Sequence, residues 1–434
     1  MLNKKFLTLS AALLISLTAC GQAKAKDVEV KFNEIKDTCM VNAHAKAYID
    51  AMKEQEKRVD YPFRLTPLFG PSDYERMAGK PDTNDGVTYA AEDTGGVDVC
   101  QMLDRNQYSN KCENVPIQLS WEANEEFGAN AKVAFWSKAD KSDLREVAAS
   151  KNAAKLDNLY RNTKYNYQLV NYNDKGTAKT AISQVGEFTT GDYTRTITFG
   201  DIKNVRDLGG YETSYGVRLN QGLMFRGYYI DDKSGGHGKN YTKAAGKVQE
   251  EVLKIGYEID LQKSSETNGR KKSCLEGAEY KCLTLISYEN FLTQDSYKNL
   301  PEVMSILANS DKAHSYFHCW GGADRTGMLA FFTLAICGVS YTDCLIDFEL
   351  TTQTNNKRCH MHNASNAHFP RFLDAFTKYD VYKADKSLNY NCQEVLEKKL
   401  GVPHDTIEQI RSIMIPGYVK GTAIPEPEAQ QVAA

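Results

Sequence analysis

The sequence predicts an all-β region at residues 113–191 followed by an α/β region at 195–420, with a largely parallel sheet flanked by helices. Three observations carry this reading. Residues 113–191 hold short alternating apolar and polar segments separated by turn residues, the pattern of half-buried strands. Beyond 195, strand-like runs (Tyr257–Leu261, Ala313–Phe317) alternate with helical ones (Thr242–Leu253, Met328–Ile336), an order that builds parallel sheets. One strand-to-helix junction carries His318-Cys319-Trp320-Gly321-Gly322-Ala323-Asp324-Arg325-Thr326-Gly327, which places a cysteine and an arginine six positions apart around glycines.

The chain has 434 residues, room for two or three domains. Its composition is that of a globular protein, and a net charge of −3 points to no nucleic-acid partner. Residues 1–19 read as a leader: Lys4 and Lys5 precede an apolar run, Phe6–Leu17, too short to span a bilayer. Leu17-Thr18-Ala19-Cys20-Gly21 resembles a bacterial lipobox. That resemblance implies cleavage before Cys20 and lipidation of Cys20. The protein is then expected to be exported and anchored in a membrane by its acyl chains, in the periplasm or at the cell surface.

Within an N-terminal region at 20–112, residues 27–112 are the least readable. They contain one helical stretch, Ala43–Glu54, among turn-rich sequence, and no function is assigned to them. In 113–191, strands are predicted at Val115–Trp121, Ala131–Trp136 and Lys164–Tyr172. Leu159-Tyr160-Arg161-Asn162-Thr163-Lys164-Tyr165 resembles the leucine-to-tyrosine corner of a fibronectin type III domain, and Glu187-Phe188-Thr189-Thr190 resembles its last strand. The resemblance implies a β-sandwich, read as a spacer that lifts the rest of the chain off the membrane. After a short link, Asp192–Thr198, comes the α/β region. Its helix Thr242–Leu253 sets Val248, Val252 and Leu253 on one side and is expected to stop at Gly256. Met328–Ile336 is almost wholly apolar, a buried helix ended by Gly338. A last helix begins at Pro403-His404-Asp405 with Asp405 as cap, and residues 421–434 form a polar tail.

The chemistry concentrates in the loop at 318–327. A tight loop opening a helix turns several backbone N–H groups inward and adds the positive end of the helix dipole. That field favours thiolate over thiol, which makes Cys319 a candidate nucleophile. Arg325 offers a planar fork matched to two oxygens of a phosphoryl group. With 11 cysteines, a bare Cys-x5-Arg is expected by chance about half a time. The preceding His, the Gly and the following Thr reduce this to roughly one in ten thousand.

The loop resembles the signature His-Cys-x-x-Gly-x-x-Arg-Ser/Thr of the cysteine-dependent protein tyrosine phosphatase superfamily. Asn204-Val205-Arg206-Asp207-Leu208-Gly209-Gly210-Tyr211, Gly216 and Met224-Phe225-Arg226-Gly227 resemble the opening of the bacterial tyrosine/dual-specificity phosphatases. Ile259-Asp260-Leu261-Gln262, followed by Glu266, resembles that family's Asp-Leu-Arg strand end. The resemblance implies a phosphomonoesterase acting through a phosphocysteine intermediate without a cofactor. Cys319 would attack phosphorus. Trp320, Gly321, Gly322, Ala323, Asp324 and Arg325 would hold the phosphate, Thr326 would donate to the sulfur and His318 would position the loop. Asp260 is the first candidate acid and Asp324 the second. Arg206 and Asp207 are expected to form a supporting pair, Asn204 to bond the loop carrying Asp207, and Arg226 to support the site.

Two departures bear on substrate. Ala323 stands where many relatives have lysine, and Gln262 replaces an arginine. Fewer cations favour a singly phosphorylated group such as phosphotyrosine over a polyphosphate. The alternatives are an exported phosphatase for small phosphorylated nutrients or inositol phosphates, and a catalytically dead lipoprotein that binds phosphorylated ligands. With Cys20 and Cys319 set aside, nine cysteines remain, and the pairings to test are Cys274 with Cys282 and Cys359 with Cys392. Cys337, on the apolar helix, reads as a buried small hydrophobe. Cys359, His360, His362 and His368 match no closed zinc spacing, so no metal is expected. Gly235-Gly236-His237-Gly238 reads as a loop, because no strand directly precedes it.

Overall fold

The computed structural model describes residues 30–56, 114–123, 130–177, 179–232, 239–286, 288–292, 298–353, 372 and 375–425. The leader with Cys20, the Gly235–Gly238 loop and the Cys359–His368 cluster lie outside the described residues.

Strands β1 (Val30–Phe32), β2 (Ile117–Ala123), β3 (Ala131–Trp136), β4 (Arg145–Ala148), β5 (Ala153–Leu156), β6 (Lys164–Tyr172), β7 (Lys179–Ala181) and β8 (Gly186–Thr189) form two antiparallel sheets. One runs β1-β2-β5; the other runs β4-β3-β6-β7, with β8 also paired to β6. Period-two alternation decides the faces. Ile117, Leu119 and Trp121 from the first sheet meet Val133, Phe135, Tyr165 and Leu169 from the second in one apolar core. The Tyr165 hydroxyl accepts the Tyr160 N–H at 3.0 Å.

The segment that resisted sequence reading joins both halves of the molecule. β1 extends the first sheet. Helix α1 (Ala43–Glu56), capped by Asn42 through a 2.8 Å bond from Ala45 N–H, buries Ala45, Tyr48, Ile49 and Met52 in the core of the α/β region. Between the halves, the buried Arg195 donates to Leu159 O (2.9 Å) and Asn158 O (3.0 Å). It also pairs with Asp207 (2.5 Å) and stacks on the Tyr160 ring (4.2 Å).

The α/β region is built on β9 (Arg206–Asp207), β10 (Met224–Gly227), β11 (Ile255–Asp260), β12 (Glu279–Cys282) and β13 (His314–His318), in the order β12-β11-β13-β10-β9. The first four are parallel, and only the edge strand β9 is antiparallel, as expected for a largely parallel sheet. Helix α2 (Lys243–Val248) is capped by Thr242 and widens into a π-turn at Gln249–Leu253. It stops at Lys254, in the left-handed region at φ 50°, and not at Gly256. Gly256 belongs to β11, where a Cβ would meet that of Ala313 at 2.6 Å. Helices α3 (Leu300–Leu307), α4 (Asp324–Ile336), α5 (Tyr341–Glu349), α6 (Leu388–Lys398) and α7 (His404–Met414) complete the region. Asp405 does not cap α7: Pro403 holds that position and Asp405 lies in the first turn, where a carboxylate still complements the dipole. Among the described residues no helix is long and apolar enough to cross a membrane.

The expected disulfides are not formed. Cys274 and Cys282 are free: the first takes a contact from Arg270 Nη1 (3.5 Å) and the second turns to Gln262 O (3.5 Å). Cys392 is a free thiol inside the core, and Cys359 lies outside the described residues. Cys337 is buried and free, as its place on an apolar helix implied.

Candidate active site

Strand β13 lies in the middle of the sheet and ends at His318, and the chain turns at once into α4. Cys319 therefore sits at the carboxyl edge of a parallel sheet, where open α/β folds place ligands. Gly322 makes the turn possible. Its φ is +59°, and a Cβ there would lie 2.2 Å from Gly227 O. Ala323 occupies the position before α4 and makes no side-chain cap, so the first-turn amides of this 13-residue helix face the loop.

The loop rests on a buried polar floor. Asn204, in the left-handed region at φ 57°, donates to Gly321 O and Gly322 O, both at 3.1 Å. Arg226 Nη2 donates to Gly322 O at 2.7 Å. Arg226 and Arg206 both pair with Asp347 on α5, Arg206 Nε at 3.0 Å from Oδ1 and Arg226 on Oδ2. Burial lowers the Arg226 pKa to about 10 despite the Asp347 charge, whereas Asp347 is held below the usual carboxylate range because the two arginines outweigh its burial. Thr351 accepts from Arg206 (3.1 Å) and Asn204 (3.3 Å).

Arg206 and Asp207 do not pair with each other. Neighbours on a strand point to opposite faces, so Arg206 goes to Asp347 while Asp207 goes to Arg195 and the amides of Gly209 and Gly222. Asn204 reaches both neighbours: its oxygen accepts from Arg206, in the strand that carries Asp207, and its amide donates to the 321–322 carbonyls.

Cys319 is buried. Burial alone raises a thiol's pKa, but the Arg325 charge, the Thr326 hydroxyl and the N–H groups of Thr326 and Ala323 outweigh it, and the pKa is lowered. The Thr326 hydroxyl has no regular hydrogen-bond partner among the described residues, so its approach to the sulfur is looser than a full bond. Arg325 is clamped by Glu266 through two contacts, 2.7 Å and 3.2 Å, which fix its fork beside the loop. Glu266 is held low because the Arg325 and Lys263 N–H bonds outweigh its burial. His318 places Nε2 3.0 Å from Glu258 Oε1, and Nδ1 3.3 Å from Cys319 O. Glu258 also pairs with Arg270 and accepts from Ser273.

The two candidate acids differ in setting. Asp260 is 2% exposed and lies level with His318 on the adjacent strand. Its oxygens accept from Gln262 N–H (3.0 Å) and the Tyr280 hydroxyl (2.9 Å). Asp324 begins α4 inside the loop and is half-buried. Trp320 is 41% exposed at the loop's rim, its ring 5.9 Å from that of Tyr228. Ala323 and Gln262 are both buried.

Sequence reasoning missed Asp347, Glu258 and Thr351, and noted Glu266 without assigning it a task. Asp347 carried one signal, a carboxylate inside the run Leu345-Ile346-Asp347-Phe348, where only a paired charge is tolerated. Glu258 is similar, within Ile255–Asp260.

Fold and loop together define an α/β protein with a cysteine- and arginine-bearing loop at the carboxyl edge of its sheet. Residues 197–416, just over half of the chain, match the model of the tyrosine phosphatase family, and the chain belongs to that family. Among curated proteins nothing matches the chain. Membership makes this a tyrosine-phosphatase-like hydrolase acting on a phosphorylated substrate.

Proposed function

We propose that the protein is a cysteine-dependent phosphomonoesterase for phosphotyrosine or related protein phosphoesters. The observation that carries this is a buried Cys319 whose pKa is lowered by Arg325 and the loop amides. The Cys319 sulfur attacks phosphorus, forming an S–P bond as the ester O–P bond breaks. The loop amides and Arg325 hold the equatorial oxygens, where charge collects. Asp324 protonates the leaving oxygen. It then takes a proton from the water that attacks phosphocysteine and releases phosphate, returning the thiolate. Asp324 is preferred to Asp260 because it lies within the loop and is half-buried, while Asp260 is almost fully buried and serves Gln262 and Tyr280.

An aromatic wall supports a flat substrate. β10 and β13 run in parallel register with Gly227 beside His318, which brings Tyr228 and Tyr229 alongside Cys319 and Trp320. The Tyr228 ring lies 4.7 Å from Tyr229 and 5.9 Å from Trp320. Such faces suit a phenyl ester better than an alkyl one. The buried, uncharged Ala323 and Gln262 weigh against inositol polyphosphates.

The same proposal includes the setting. The lipobox-like leader supports an exported protein anchored through Cys20, and the two sheets with their tyrosine corner support a fibronectin type III-like sandwich.

The test is phosphate release from a phosphotyrosine peptide under mild reductant, by wild type, Cys319→Ser and Arg325→Lys. Release by wild type alone is expected. Turnover by Cys319→Ser would rule out the thiolate route. Silence from folded, reduced wild type would direct attention to another phosphorylated substrate or to phospho-ligand binding without turnover.

A further inference from the structure

We propose that Asp347 is a positioning residue for the oxyanion cradle: through Arg226 it fixes the Gly322 carbonyl, and thereby aims the Ala323 N–H at the Cys319 sulfur. The inference rests on the phosphate-site reading above and assigns a task to a helix residue outside every motif of the loop.

The argument begins with the peptide plane. In a trans peptide, the carbonyl of one residue and the N–H of the next point in opposite directions. Asn204 draws the Gly321 carbonyl down, so the Gly322 N–H turns toward the cradle. Asn204 and Arg226 together draw the Gly322 carbonyl down, so the Ala323 N–H turns the opposite way, in keeping with its lowering of the Cys319 pKa. Both donors must themselves be held. The Asn204 oxygen accepts from Arg206, and both Arg206 and Arg226 end on the Asp347 carboxylate. All three ionic side chains are at most 1% exposed, so water cannot substitute for a lost partner.

Charge adds a second effect. Two guanidiniums against one carboxylate leave a net positive charge in the floor of the loop. Beneath an anion site at low dielectric that charge acts with the helix dipole and Arg325. Asp347 therefore sets the arginine geometry while leaving the cluster cationic. A protonated or neutral residue in its place frees both guanidiniums to move away from one another and from the loop.

The experiment measures alkylation of Cys319 by iodoacetate in the full chain, read from the mass of its peptide, against pH and with inorganic phosphate as protectant. Neither readout requires turnover. By charge alone Asp347→Asn would lower the pH midpoint of alkylation, because it leaves two guanidiniums uncompensated; with the Gly322 carbonyl released, the midpoint is expected to rise instead and phosphate protection to weaken roughly tenfold, a typical cost for a residue that orients a binding group. If that variant does not fold, Thr351→Val decides. It removes a neutral hydroxyl that accepts from Arg206, Asn204 and Arg226 (3.1, 3.3 and 3.5 Å), and a smaller change of the same sign is expected. A folded Asp347→Asn, or failing that a folded Thr351→Val, with wild-type midpoint and wild-type phosphate protection overturns the proposal. Wild type that phosphate does not protect at all overturns the phosphate-site reading itself, and the proposal with it.

Discussion

Gly322→Ala tests how tightly the loop is built. The new Cβ would lie 2.2 Å from Gly227 O, 2.4 Å from Gly227 C and 2.9 Å from Tyr228 N, whereas real Cβ contacts stay beyond 3.0 Å. All three neighbours are backbone atoms at the end of β10. That strand is paired to β13, and its next amide, Tyr228 N–H, donates to Lys203 O at 3.0 Å, so it cannot yield cheaply. The loop must therefore lift by roughly 0.8 Å, and a left-handed alanine adds about 1–2 kcal/mol of strain. A displacement near 1 Å at a reacting group costs on the order of a hundredfold in rate, or about 2.7 kcal/mol of barrier. The strain alone lowers Tm by roughly 2–8 °C in a region of this size. Steady-state kinetics with an aryl phosphate, alongside thermal unfolding, reads both quantities. The expected pattern is a folded protein with kcat/KM down about a hundredfold. A kcat/KM within about threefold of wild type would refute the claim that this backbone contact sets the cradle.

Three further outcomes follow from the same geometry. Alkylation of Cys319 tracks its thiolate, so its rate rises with pH; because the folded pKa is lowered, the half-plateau falls below the ordinary thiol value of 9.0, and Arg325→Ala moves it upward. An alkylation midpoint in wild type at or above 9.0 would contradict the proposed field. Asp324→Asn is expected to lower kcat most with poor leaving groups, whereas Asp260→Asn keeps kcat and loses about 1–2 kcal/mol of stability by weakening its bonds to Gln262 and Tyr280. Equal losses of kcat in the two variants would return Asp260 to the chemistry. Tyr165→Phe strands the Tyr160 N–H and is expected to cost about 1–2 kcal/mol in chemical denaturation, with catalytic constants unchanged at low temperature; an unaltered denaturation midpoint would show that the corner bond contributes little.

Local signals carried far in this chain. Ala131–Trp136 and Lys164–Tyr172 were bounded correctly because alternation and turn residues are written into a few consecutive positions. The cysteine loop was legible for the same reason: cysteine, glycine turn and arginine lie within one short segment that must fold locally before α4. In residues 30–56 the helix was legible, read as Ala43–Glu54 against the observed Ala43–Glu56, but the packing of the segment was not, because its partners are distant. β1 pairs with a strand beginning at Ile117, and α1 packs against α5. Neither pairing leaves a trace in the segment itself. The stop of α2 was misplaced because Gly256, an apparent terminator, is needed for a close approach to Ala313.

The sequence by itself determined the all-β and α/β regions in their order, the largely parallel sheet and the composition of the cysteine loop. Each of these depends on the periodicity and spacing of neighbouring residues. Tertiary structure alone decided who holds the loop in place. Glu266 on Arg325, Glu258 on His318 and Asp347 on Arg206 and Arg226 are pairings between separate strands, turns and helices. A buried charge requires a counter-charge, but which one it finds depends on how the elements pack, and no spacing along the chain encodes that.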